Sequence, residues 1–278
     1  MKYFLSFFLL AALTLQAQKK SIPAKFVWVQ KRSLIVSVYE TSCEDWLTFM
    51  TESIQDPKLL PEPNELVKKC IYVTWEGDVR LVDSRSTYRD TSFVDRSKGK
   101  GKKTRKVEKC ASMPVTGITH EQALAYCEWL SEIYADDSRY NSLHLNFRLA
   151  TPSEMDSLLS DVFSPWPRDD EHYLALQQGI NKRGCALYNH RHTGWCDASV
   201  LMKNEYGYAI PMKTGAFFPD KNGLWDLMGN VAEMTSEKGI ARGGSCIHLA
   251  TECQPEVANR YESPQVWLGF RVVADLKN

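Results

Sequence analysis

The sequence predicts a fold that combines a few helices with short strands and a large share of irregular chain. Capping signals at Thr119 and Thr151 mark two helices in the middle of the chain. Runs of β-type residues occur near both ends, at 26–39 and 270–273. After Phe163, Gly, Pro, Asn and aromatic residues recur for about fifty residues without periodicity, which predicts irregular structure there.

Each predicted element has a local signal in the sequence. We expect strands at Phe26–Val29, Leu34–Tyr39, Cys70–Trp75 and Phe270–Val273. We also expect three helices, each beginning with a capping box: one from Thr41 with Glu44, and one from Thr119 to about Tyr134 with Gln122. The third begins at Thr151 with Glu154 in its capping box and Pro152 in its first turn.

The overall composition is that of a globular protein. The 278 residues contain 34 Lys+Arg and 34 Asp+Glu, and 44% are hydrophobic. Wholesale disorder is excluded, because it requires low hydrophobicity and high net charge. A dedicated nucleic-acid binder is also excluded, because such a protein needs a broad basic surface.

The N-terminus predicts export. Lys2 precedes an apolar run at Tyr3–Leu13, and Ala17 offers a small residue for cleavage, which is the pattern of a secretory signal peptide over residues 1–17. No other stretch is long and apolar enough to cross a bilayer, so we expect no membrane span. The predicted location is the periplasm or cell envelope, or outside the cell.

Two further features stand out in the mature chain. A basic insert at about 85–110 contains the run 96–109, with eight Lys/Arg, two Gly and one Glu, which predicts either a solvated loop or a contact surface for an anionic partner. All eight cysteines follow the signal peptide, and in an oxidising compartment they predict disulfides whose connectivity the sequence leaves open.

A set of motifs in a fixed order resembles the formylglycine-generating enzyme (sulfatase-modifying factor) family. The motifs are PVTGIT at 114–119 with ALAYCEWL at 123–130, FRLATPSEM at 147–155, NGLWDLMGNVAEMT at 222–235, RGGS at 242–245 and LGFR at 268–271. The resemblance implies one α+β domain over residues 18–278, related to C-type lectins and low in regular secondary structure. It also implies either a copper-dependent oxidase that converts a substrate cysteine to formylglycine, or a non-catalytic relative.

The family's copper site is altered in this chain. The resemblance implies two cysteine ligands spaced C-x4-C after RGGS, but His248 stands at the first position and Cys253 at the second. Cys246 is the nearest other thiol, and Ser245 of the motif is retained. If the chain is an oxidase, these four residues are its candidate catalytic group. The alternative is that Cys246 and Cys253 form a disulfide with each other or with other cysteines.

The family's calcium site is better preserved. The resemblance implies Ca²⁺ bound by the side chains of Asn230 and Glu233 and the carbonyl of Val231, an oxygen-only set that suits this cation. The alternative is a capped turn in which both side chains bind backbone amides. Separately, Cys185, His190, His192 and Cys196 have the residue types of a zinc site, with a Cys185–Cys196 disulfide as the competing prediction.

The sequence therefore favours an exported, non-catalytic domain that binds a protein or glycan of the cell envelope. The missing first copper ligand and the basic insert support this interpretation. The retained Ser245 and Cys253 support the alternative, the formylglycine-generating oxidase.

Overall fold

The computed structural model describes residues 22–53, 112–191 and 211–275, and the backbone of two short segments, 71–73 and 79–81. These ranges include all the family-like motifs and the candidate copper and calcium residues. The predicted signal peptide, the basic run 96–109, His192 and Cys196 lie outside the described residues.

The helices and strands are mixed along the chain, which confirms the α+β class. The helices are α1 (Cys43–Glu52), α2 (His120–Asp136), α3 (Pro152–Phe163) and α4 (Glu171–Gln178), with 3-10 turns at Gln30–Arg32, Asn141–Leu143 and Ala250–Glu252. The strands are β1 (Phe26–Val29), β2 (Leu34–Ser37), β3 (Ile71–Val73), β4 (Val79–Leu81), β5 (Asn146–Leu149), β6 (Ala232–Met234), β7 (Ile240–Arg242), β8 (Asn259–Arg260), β9 (Leu268–Gly269) and β10 (Val272–Asp275).

Two small sheets organise these strands. The first has the antiparallel order β1-β2-β10-β5, so the C-terminal strand lies between an N-terminal strand and a central one. The second has the order β8-β7-β6-β9, in which β6 and β9 run parallel and the other pairs antiparallel. The β3–β4 hairpin pairs separately.

The predicted capping boxes of the second and third helices are confirmed. The hydroxyl of Thr119 accepts the N–H of Gln122 at 3.2 Å, and the Gln122 side chain accepts the N–H of Thr119 at 2.8 Å. Thr151 and Glu154 form the same reciprocal pair at 3.2 and 2.7 Å. Each box satisfies two backbone donors that have no partner within the helix.

The prediction for the first helix was wrong by one residue. Thr41 does not cap it, because its N–H donates to the Phe270 carbonyl and its own carbonyl accepts the Val115 N–H. Those contacts hold Thr41 in extended backbone. Ser42 is the N-cap instead, with Asp45 as its capping-box partner.

Other boundaries also differ from the sequence-based ones. The second strand ends at Ser37 because the Arg271 guanidinium takes the carbonyls of Ser37 and Val38. The last strand is Val272–Asp275 and not Phe270–Val273. Helix α4 lies in the stretch predicted to be irregular; Asp170 caps its first turn through the His172 N–H at 2.8 Å, and Gly179 ends it at φ 71°.

The core consists of two apolar clusters on either side of the first sheet. One packs α1 and α2 around Trp46, Phe49, Tyr126 and Phe270, and the other packs α3 against the chain around Leu227 and Cys253. The RGGS turn at 242–245 and the GNVAE segment at 229–233, which leads into β6, border these clusters. Within the described residues, no helix has the length and hydropathy needed to cross a membrane.

Candidate functional site

The RGGS turn brings several predicted site residues together. Arg242 ends β7, and Gly243 and Gly244 follow with φ of 86° and 68°, a conformation that L side chains rarely adopt. A Cβ on Gly244 would overlap the Cys253 sulfur. The close approach that only glycine permits therefore places Ser245 beside Cys253.

Cys253 is a buried, free cysteine. Its side chain has 0% relative exposure, and its sulfur donates to the Leu249 carbonyl at 3.4 Å. Burial, with a further contribution from Glu252, raises the pKa of Cys253 to about 12, although the backbone N–H groups of Ser245 and Gly229 oppose the rise. Burial therefore disfavours a free, nucleophilic thiolate at neutral pH.

His248 is bound to Ser245. Its Nδ1 lies 2.7 Å from the Ser245 Oγ, and its ring packs edge-on against Trp267 with a centroid distance of 4.8 Å. Burial lowers the pKa of His248, so its neutral form is favoured. The Ser245 hydroxyl has 0% relative exposure and also accepts the Ile247 N–H at 3.4 Å.

This donor set does not fit the two-thiolate copper site that the resemblance implies. His248 stands where the first thiolate is implied, and its Nδ1 is committed to Ser245. Cys246 is buried, and its N–H donates to the Asn230 carbonyl at 3.0 Å. In the described ranges, no group of three or more His, Cys, Asp or Glu side chains could hold a metal.

The cysteine predictions have mixed outcomes. Cys246 and Cys253 are not joined to each other, so that disulfide alternative is wrong for this structure. Cys185 is disulfide-bonded, whereas Cys196, its predicted partner, lies outside the described residues. His190 is buried, with its Nδ1 2.9 Å from the Tyr188 carbonyl.

Asn230 joins three segments of the chain. It adopts φ 59°, and its Oδ1 accepts the Met212 N–H at 2.7 Å and the Asn189 Nδ2 at 3.1 Å. Its Nδ2 donates to both carboxylate oxygens of Glu40, at 3.0 and 2.9 Å. Val231 beside it is buried, and its side chain packs against Gly269.

Glu233 is paired with Arg271. The Arg271 Nε lies 2.9 and 3.1 Å from the two carboxylate oxygens, and Nη2 lies 2.8 Å from Oε1. Burial raises the pKa of Glu233, while the adjacent guanidinium opposes that rise. The side chains of Asn230 and Glu233 thus serve different partners, and the guanidinium already neutralises the carboxylate. As arranged, these residues do not fit a shared calcium ion.

Sequence reasoning missed two buried carboxylates behind these residues. Burial raises the pKa of Glu40 well above its usual range, Asp226 adds to the rise, and Arg271 opposes it. Asp226 accepts backbone N–H groups of Gly215 and Phe217, at 2.5 and 3.3 Å, yet burial still raises its pKa. The sequence signal for this cluster of buried charges was Arg271, a charged residue within the apolar run LGFRVVA at 268–274.

The comparisons with known proteins define the class of protein. The family model described as Sulfatase-modifying factor enzyme 1-like domain matches residues 10–276. The chain therefore belongs to the formylglycine-generating enzyme (sulfatase-modifying factor) family, as its motifs indicated. The matched range begins inside the predicted signal peptide. No curated protein matches the sequence.

Several solved structures are similar to this chain at low identity. PvdO from Pseudomonas aeruginosa is 15% identical, with 87% of this chain and 80% of that chain covered and a TM-score of 0.47. CarF is 14% identical, with 88% and 87% covered and a TM-score of 0.49. Treponema denticola variable protein 1 is 13% identical, with 91% of each chain covered and a TM-score of 0.43.

Proposed function

We propose that this chain is an exported, non-catalytic member of the sulfatase-modifying factor family that binds a protein or glycan partner in the cell envelope. The observation that carries the proposal is the Ser245–His248 pair: an imidazole stands at the first copper position, and its Nδ1 lies 2.7 Å from the Ser245 Oγ. An oxidase of this family needs two thiolates on copper. Here the first is replaced by His248, whose Nδ1 is hydrogen-bonded to Ser245.

The arrangement is better suited to binding than to redox chemistry. Ser245 and His248 form a fixed polar pair beside Trp267, which is only partly buried. A polar donor next to an aromatic ring suits recognition of a polar partner. The basic run 96–109 lies outside the described residues, and its eight cations suggest a second contact with an anionic surface.

A direct assay tests the absence of catalysis. The mature protein, supplied with Cu(I) and a peptide carrying a cysteine in a sulfatase-type C-x-P-x-R sequence, should produce no aldehyde above a matched Cys253→Ser control. Cys127→Ser is a second control, because Cys127 is a buried thiol outside the RGGS region. Aldehyde from the wild type and from Cys127→Ser, but not from Cys253→Ser, would establish the oxidase instead.

A binding assay tests the positive half of the proposal. The mature protein should sediment with envelope fractions from the producing cells and should be retained after washing. Recovery only in the soluble fraction, at both low and high salt, would contradict an envelope partner.

A further inference from the structure

We infer that Ser245 is a positioning residue that holds His248 as its Nε2–H tautomer, so that His248 offers an N–H donor to an anionic oxygen of the partner. This inference rests on the proposed function, because it names the chemistry at the same polar pair. It concerns this chain's own residues, since His248 stands where the family motif has cysteine.

The first step is to account for the hydroxyl proton. The Ser245 Oγ accepts the N–H of Ile247 at 3.4 Å, and its remaining neighbour is the His248 Nδ1 at 2.7 Å. If the hydroxyl donates to Nδ1, every polar hydrogen at this pair has an acceptor. Nδ1 is then the unprotonated nitrogen of the ring, and the imidazole proton is on Nε2.

The opposite tautomer leaves a proton without an acceptor. If Nδ1 carried the hydrogen and donated to Ser245, the hydroxyl proton would need another acceptor. The Ser245 side chain is fully buried, and the described residues offer it none. An unsatisfied donor at a buried position is disfavoured, so the pair selects the Nε2–H form.

The Nε2 atom of His248 has different surroundings from Nδ1. Among the described residues Nε2 has no hydrogen-bond partner, and the ring is braced by Trp267 at 90°. The backbone N–H of Arg191 donates to the His248 carbonyl at 2.8 Å, and the Arg191 side chain is exposed. The charges of Glu252 and Arg191 both act on the His248 ring; the effect of Glu252 is the larger, and its carboxylate accepts the Leu249 N–H at 2.7 Å. A neutral N–H donor near an exposed arginine fits a carboxylate or phosphate oxygen.

Nitrogen NMR of the mature protein tests the tautomer without any partner. With ¹⁵N-labelled histidine, the Nδ1 of His248 should have the shift of an unprotonated ring nitrogen and Nε2 that of a protonated one. In Ser245→Ala this preference should be lost. In Ser160→Ala, which removes a hydroxyl bound only to the Asp156 carbonyl, it should remain. An Nδ1–H form in the wild type, or an unchanged preference in a folded Ser245→Ala, would overturn the inference.

Two His248 variants keep the test decisive if Ser245→Ala does not fold. Gln places an amide near the position of Nε2, whereas Asn places it near Nδ1. Titration with acetate and with methyl phosphate should give saturable binding to the wild type and to His248→Gln. Binding should weaken about tenfold or more in His248→Asn and in Arg191→Gln, which corresponds to about 1.4 kcal/mol.

The two anions also distinguish a carboxylate on the partner from a phosphate. Together with the other assays, they distinguish a failure of this inference from a failure of the proposed function. Tighter binding of acetate indicates a carboxylate on the partner, and tighter binding of methyl phosphate indicates a phosphate. If neither anion binds the wild type although the protein sediments with envelopes, the anion assignment is wrong and the proposed function stands. If aldehyde is formed in the oxidase assay, the proposed function fails, whereas the tautomer result stands on its own.

Discussion

Arg271 and Glu233 form an ion pair that is shut off from solvent, with side-chain exposures of 0% and 1%. The same guanidinium donates to the carbonyls of Ser37 and Val38 through Nη1 and to the Trp225 carbonyl through Nη2 at 2.6 Å. All of its nitrogens are therefore satisfied. The pair joins the end of β2 to β6 and to the chain before the GNVAE segment.

Removal of one partner of this pair should strongly destabilise the fold. Glu233→Gln removes the carboxylate that is hydrogen-bonded to the Arg271 guanidinium and leaves only the through-space effects of Glu40 and Asp226. Breaking a buried pair of this kind costs about 3–5 kcal/mol. We expect a corresponding loss in the free energy of unfolding, measured by urea denaturation. The exposed ion-pair variant Glu171→Gln is the control, and it should change stability by less than about 1 kcal/mol.

A double variant separates charge from packing. Glu233→Leu combined with Arg271→Met removes both charges and keeps apolar volume, so it should recover part of the stability lost in Glu233→Gln. A double variant as unstable as Glu233→Gln would mean that the hydrogen bonds of Arg271 to backbone carbonyls matter more than the ion pair.

The helices α2 and α3 were predictable because their signals are local. A threonine followed three residues later by Gln or Glu settles where each begins, whatever the rest of the chain does. The start of α1 was not predictable in this way, since Thr41 and Ser42 are both good caps. Long-range pairing of Thr41 with Phe270 and Val115 decides between them. Helix α4 escaped prediction because it is short and has no buried residue.

The candidate site was predictable only in part, because its residues, like the start of α1, depend on long-range contacts as well as on local signals. The RGGS motif located Ser245, His248 and Cys253 in one place, as its spacing required. The protonation state of Cys253 follows from burial, and the partner of Glu233 follows from the fold that brings Arg271 beside it. Both depend mainly on the tertiary fold, with Glu252 and Leu249 as local contributors at Cys253, so no local pattern contained them.

Calcium removal tests the prediction that the family resemblance supplied. Because Arg271 neutralises Glu233 and Asn230 is saturated by protein partners, we expect the melting temperature to be the same with calcium and with a chelator. A site occupied at about 100 times its Kd would instead add about 2.7 kcal/mol. A drop in the melting temperature with chelator that is absent in Asn230→Ala or Glu233→Gln would place a calcium ion at these residues.

The stability of the fold should decrease at low pH because Glu154 becomes protonated. Burial opposes ionisation, but the Arg148 guanidinium and the Thr151 N–H outweigh it and hold the pKa of Glu154 below its ordinary 4.5. A carboxyl whose folded-state pKa is lowered stabilises the fold above its unfolded pKa and loses this contribution as the pH falls through the folded value. The gap in melting temperature between wild type and Glu154→Gln should be widest above pH 4.5 and close below it. A gap that is constant across this range would show that Glu154 acts through shape alone.

The basic run 96–109 should be a contact surface for an anionic envelope component. Replacement of four of its lysines, Lys98, Lys100, Lys102 and Lys103, by Ser should leave the melting temperature almost unchanged, because exposed substitutions usually alter stability by less than about 0.5 kcal/mol. The same change should move the protein from the envelope to the soluble fraction. Added salt should have the same effect on the wild type, since exposed charges are screened over about 8 Å at physiological ionic strength.

A charge-matched control makes this test specific to the run. Lys31, Lys182, Lys213 and Lys238 are exposed on the described part of the chain, and their replacement by Ser lowers the net charge by the same amount. This variant should fractionate like the wild type if the run itself makes the contact. Equal release of both variants would mean that only the overall charge matters. Equal retention of both, at low and high salt, would mean that the partner binds elsewhere, with the polar pair of Ser245 and His248 as the remaining candidate.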